Sequence, residues 1–167
     1  MSLFRLVEWL GNTSWSIALH ESRYVFLGVL MIHVLTVSVF VGTAVMIDLR
    51  LLGRTMTHVP ASQVIARLLP WSEAGFAVMV VTGTLLFYAS PLARYENMFF
   101  RMKMAALVLA LLNAWLFRRT QYRRVAEWDL DPVPPRRVRM TGALSLALLA
   151  IIITTGRMMA YSAYWFG

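Results

Sequence analysis

Residues 24–47 read YVFLGVLMIHVLTVSVFVGTAVMI, a run of 24 positions without one charged side chain. A hydrocarbon core is crossed by roughly 20 helical residues rising about 1.5 Å each, so this stretch predicts a membrane-spanning helix. Residues 74–93 and 140–156 are likewise uncharged, and 98–117 is apolar once past Arg101 and Lys103 in its first turns. The expected fold is an all-α integral membrane four-helix bundle, one domain over residues 1–167, with spans near 24–51, 73–93, 98–118 and 140–161.

Composition supports the same class. Hydrophobic residues make up 59% of the chain and charged ones 14%, and the mean hydropathy is +0.65. A soluble core of this size cannot bury so much apolar surface. Cysteine is absent, which removes disulfides, thiolate metal sites and covalently attached c-type haem. There are no internal repeats or low-complexity tracts.

Loop charges set the expected orientation. Arg50, Arg54, Arg67 and the seven arginines from Arg118 to Arg139 lie on one side, against Arg5, Arg23, Arg94, Arg101 and Lys103 on the other. The positive-inside rule then places both termini outside the cytoplasm. The net charge of +8 reads as topology and not as a nucleic-acid surface, because short cytoplasmic loops of membrane proteins are ordinarily Arg-rich.

Residues 1–23 do not read as a signal peptide, since Arg5 and Glu8 interrupt any apolar core there. Leu3, Phe4, Leu6, Val7 and Leu10 share one face, which predicts a short helix lying in the outer interface. Gly11 ends it, and Ser14 is placed to cap a second turn holding His20 and Glu21. Such a segment serves equally as an anchor or as a lid. Between the spans, residues 61–69 predict a short helix before Pro70-Trp71, and Pro132, Pro134 and Pro135 stiffen the last loop.

The spans carry few ionisable groups, and those are costly unless turned inward and partnered. Counted from boundaries near Tyr24, Asn97 and Trp165, His33, Lys103 and Arg157 lie about 14, 9 and 12 Å deep at 1.5 Å per residue. This matched depth predicts one pocket in the outer half, with Tyr161 and Tyr95 near its mouth and Arg101 beside Lys103. Each has a plainer reading: His33 as a packing residue, Lys103 or Arg101 reaching outward along an apolar stem. Two cations beside an imidazole call for an anionic group, and haem b fits, with His33 as axial metal ligand and the basic side chains facing two propionates. A second axial His is not at this depth, which leaves the sixth position open or held by Met104, Met158 or Met159.

His33 in Ile32-His33-Val34-Leu35, followed by Val41-Gly42, and Lys103 in Arg101-Met102-Lys103-Met104 resemble the pattern of the HemJ-type protoporphyrinogen IX oxidases. That resemblance implies haem b on the first-helix His and a required Lys103, and it extends loosely to the copper-resistance D membrane family. Most of the chain is similar to an uncharacterised bacterial four-helix inner-membrane family, through Asp48-Leu49-Arg50-Leu51-Leu52-Gly53 and Gly156-Arg157-Met158-Met159-Ala160-Tyr161. This similarity implies a bacterial inner-membrane location.

At the inner boundary Asp48 is placed to accept from Arg50, Arg54, Asn113 or Arg118, as a helix-locking network or as part of a proton path. Thr82-Gly83-Thr84 permits close helix approach. Two functions follow. One is a haem b redox protein exchanging electrons with quinone or a membrane partner, with a HemJ-like oxidoreductase as its enzymatic extreme. The other is a non-catalytic structural or accessory subunit, in a homo-oligomer or a larger membrane complex.

Overall fold

The computed structural model describes residues 3–161 and consists of helices joined by short turns. Two short helices, α1 (Leu3–Gly11) and α2 (Ser14–Glu21), precede the first long one, α3 (Arg23–Leu51). Then come α4 (Ala61–Ala89), the six-residue α5 (Pro91–Glu96), α6 (Met98–Thr120), a 3₁₀ segment (Tyr122–Glu127) and α7 (Arg136–Ala160). Helices α3, α4, α6 and α7 are each long and apolar enough to cross a membrane. The chain is a four-helix membrane bundle with both described termini at one end.

Two boundaries differ from the sequence reading. The cap of α2 is Thr13, whose side chain accepts from the Ser16 amide, and not Ser14. Helix α4 runs unbroken through Pro70, where a separate short helix was expected. Proline removes the donor for the carbonyl four residues back and crowds it, but Pro70 and Ala66 both lie on the exposed face. The ring therefore meets no neighbouring helix. The break comes later, where Ser90 turns extended and Pro91 opens α5 at a position that needs no amide donor.

Helix α3 packs against α4 and α7, and α7 against α6, whereas α4 and α6 scarcely approach one another. Side chains bridge that fourth side only near its two ends. Arg118 pairs with Glu73 at 2.8 Å near one end, and Phe87 stacks on Phe100 at 5.5 Å near the other. Gly142 sets the closeness of α3 and α7, because a Cβ there would stand 3.0 Å from the Asp48 carbonyl oxygen. Leu35, Met31, Val81, Leu111 and Trp115 remain exposed, an outer surface suited to lipid.

The tightest packing is at the arginine-rich end. Leu51, Ala61, Ile65, Phe117, Trp128 and Val138 form a buried cluster around Arg50, which is 0% exposed. Its guanidinium donates to the carbonyls of Val59 (3.0 Å), Asp129 (3.2 Å) and Asp131 (3.4 Å). Asp129 in turn accepts from the amide and hydroxyl of Ser62, both at 2.7 Å, and so caps α4 from a distant loop. Gly53 adopts φ +69°, with the Pro132 carbonyl where a Cβ would come to 2.8 Å.

Replacing Arg50 by Met should leave three carbonyls without their donor and lower stability by on the order of 3 kcal/mol. Gly53→Ala should cost about 1–2 kcal/mol through backbone strain alone. Thermal unfolding of the purified variants in detergent measures both, and an unchanged midpoint for Arg50→Met would contradict the loop-locking role.

Candidate functional site

At the opposite end, His33 of α3 meets α4 through a hydrogen bond between Nδ1 and the Thr82 hydroxyl at 2.8 Å. That hydroxyl also donates to the Val78 carbonyl at 2.8 Å, one helical turn back. A hydroxyl has one proton to give. With it engaged on Val78, the ring nitrogen is the donor, and a neutral His33 carries its proton on Nδ1. The Nε2 lone pair then carries no proton, and the ring also meets the backbone of Met79. Gly83 admits the ring, since a Cβ there would stand 3.3 Å from its Cε1.

Two cations face this imidazole from the other helices. Lys103 of α6 lays its stem and amine across Gly156 of α7, where a Cβ would be 3.6 Å from Nζ. Arg94 of α5 lies within electrostatic reach of both His33 and Lys103. Its Nε is buried without a hydrogen-bond partner, and burial pushes the guanidinium's pKa down from its ordinary value, although arginine keeps its charge. Among the described residues the one salt bridge is Arg118 with Glu73, so neither Arg94 nor Lys103 is paired with a carboxylate.

Of the residues singled out from the sequence, His33 and Lys103 are therefore brought within reach of each other. Arg157 and Tyr161 form a pair of their own near the end of α7. The Arg157 guanidinium bonds the Tyr161 hydroxyl at 2.9 Å and lies 5.1 Å from its ring centroid, and both residues are exposed. Arg101 is also exposed; it bonds the Tyr95 carbonyl at 3.2 Å and covers the Tyr95 ring. The α1–α2 segment docks on the same end. Ser16 donates to the Tyr88 carbonyl at 2.7 Å, Thr13 bonds the Tyr88 hydroxyl at 2.9 Å, and His20 meets Ser90 at 3.2 Å.

Arg94 is the member that sequence reasoning missed, because it counted only toward loop charge. The available signal was Ser90-Pro91, a helix start that folds residues 91–96 back toward the bundle. Thr82 was read as a packing residue, yet it orients the imidazole. Among the described residues no three His, Asp or Glu side chains converge on a point.

A family model described as a family of unknown function, DUF6644, matches residues 13–162, and the chain belongs to that family. No curated protein and no solved structure matches it.

The hydrogen-bond network makes the Nδ1–H tautomer the expected form of His33. Nitrogen-15 NMR of histidine-labelled protein should show that form in the wild type and its loss in Thr82→Val, whose methyl cannot accept the ring proton. A wild type carrying its proton on Nε2 would remove the basis for a free Nε2 lone pair.

Proposed function

We propose that the chain is a small redox protein of the bacterial inner membrane that holds haem b at His33 and exchanges electrons with quinone or a membrane partner. One observation carries this reading: an imidazole oriented through Nδ1 stands beside two cations that have no carboxylate partner among the described residues. A haem bound here would supply one-electron transfer.

Every other part of the reading belongs to the chain's own side chains. Thr82 holds the His33 ring in the orientation that presents Nε2, as outer hydrogen bonds do for ligating imidazoles. Arg94 and Lys103 offset the propionate charges that a low-dielectric surrounding penalises. Arg157, Tyr161 and Arg101 form the outer edge of the same end. His33 would be the imidazole that holds the group, and Met104 of α6 and Met158 and Met159 of α7 are methionines at a similar depth by residue count. The HemJ-like extreme, porphyrinogen oxidation, rests on His33 and Lys103 alone. In this reading both termini face the periplasm and the Arg118–Arg139 loop faces the cytoplasm.

The accessory-subunit reading has an observation of its own. None of the most apolar 18-residue window of α3 is buried, which leaves a face for a second copy or a larger membrane complex as well as for lipid.

Protein purified from haem-replete cells should show a Soret band. His33→Ala should lose it, and Arg94→Ala or Lys103→Ala should each weaken haem retention by about tenfold, the scale of one charge-assisted hydrogen bond. Colourless, folded protein with no extractable porphyrin would leave the accessory subunit as the better reading. A reporter fused after Gly167 should give a periplasmic signal, and a cytoplasmic one would reverse the orientation.

A further inference from the structure

One cavity of the bundle lies away from His33, in the half nearer the arginine-rich end. Its volume is about 360 Å³, and α3, α4, α6 and α7 all line it. Because α4 and α6 scarcely approach, it borders the lipid on that side. Phe40, Phe76 and Leu107 make its wall apolar, while Asp48, Asn113 and Ser145 bring polar groups into it.

Asp48 is the anomaly. It is 5% exposed, and its Oδ2 is buried without a hydrogen-bond partner. The donors nearest in sequence and space are committed elsewhere. Arg50 serves the loop carbonyls, Asn113 donates to the Thr141 carbonyl at 3.1 Å, and Arg118 is held by Glu73. The Ser145 hydroxyl alone sits beside the carboxyl. A buried acceptor of this kind costs about 1–3 kcal/mol while unmade, and a cavity beside it is the place from which a donor arrives.

We infer that this cavity binds the head of a lipid-soluble hydroquinone, whose phenolic O–H donates to the Asp48 carboxyl at its edge. The ligand class rests on the redox reading above; the site itself rests on the cavity and the unpaired oxygen. While Asp48 is ionised it disfavours an anionic lipid head and accepts from a hydroquinone, whereas a quinone of the same shape has no hydrogen to donate. The volume takes one substituted ring and the start of a tail, and the gap between α4 and α6 lets the rest of the tail lie in lipid. Met79, which lines the cavity, is one turn before Thr82, so the hydroquinone site adjoins the helix face that orients His33.

The test titrates the purified full chain, in phosphatidylcholine nanodiscs under argon, with decylubiquinol and decylubiquinone, read by native mass spectrometry and thermal shift. At pH 9, with the Asp48 carboxyl ionised, the quinol should bind about tenfold more tightly than the quinone, the worth of one hydrogen bond to a charged acceptor. Asp48→Leu should fold at least as stably, since it removes a desolvated carboxylate, and should lose that preference. Ala110→Phe fills the cavity with Asp48 in place and should abolish binding of both probes. Equal affinity for quinol and quinone, unchanged preference in Asp48→Leu, unchanged binding in Ala110→Phe, or a retained phospholipid that the quinol cannot displace would each overturn the site. His33→Ala should keep the preference for quinol. Colourless wild-type protein that still discriminates quinol would overturn the haem reading and leave this site standing, and haem-loaded protein without discrimination would do the reverse.

Discussion

A guanidinium with no exposure holds the two arginine-side loops together, and the bundle is organised around it. Arg50 reaches carbonyls of both the α3–α4 and the α6–α7 connection, so four helix ends are tied at one point. Removing such a charge from water is expensive, and it is tolerated where planar, multiply directed donors meet several acceptors at once. The carboxylates of Asp129 and Asp131 add an opposing charge nearby. Because Asp129 also caps α4, the same loop that neutralises Arg50 begins the second span. The buried apolar cluster gathers here, whereas little of α3 or α6 is buried along its apolar length.

The other end shows the same physics left incomplete. Arg94 and Lys103 are partly withdrawn from water, where Arg50 is wholly so, but among the described residues no ring of carbonyls or carboxylate surrounds them. His33 bonds Thr82 through Nδ1. A bundle that satisfies its buried donors so fully at one end and not at the other is asymmetric in a way that packing does not require. The asymmetry is the reason to look for a ligand at the His33 end and not around Arg50.

Between the two ends, the packing order leaves α4 and α6 apart, joined by one ion pair and one aromatic stack. Helices that meet at small residues approach closely, as α3 and α7 do at Gly142, and helices that meet through long side chains leave space. Asp48, whose own carbonyl meets Gly142, borders that space. Close approach at Gly142 and the unfilled side between α4 and α6 thus arise from one arrangement of side-chain sizes.

The four apolar runs, their approximate bounds and the membrane class were legible in the sequence, because crossing hydrocarbon demands about 20 apolar residues whatever the neighbours are. His33 and Lys103 were legible for the same reason, as polar groups in runs that should have none. Which groups meet them was not. Arg94 stands outside the spans in sequence and enters the site only because Ser90-Pro91 turns α5 back, while Arg157, at the expected depth, turns along its own helix to Tyr161. Pro70 carries the standard sequence signal of a helix break, and only its exposed position allowed α4 to continue. Asp48 offered four plausible donors by spacing; Arg50, Asn113 and Arg118 are held by other acceptors, and the hydroxyl beside it belongs to Ser145, which was not among the four. Depth along a helix follows from residue count, but azimuth and partner are set by helix packing, since each donor is taken by the first well-placed acceptor the tertiary structure brings to it.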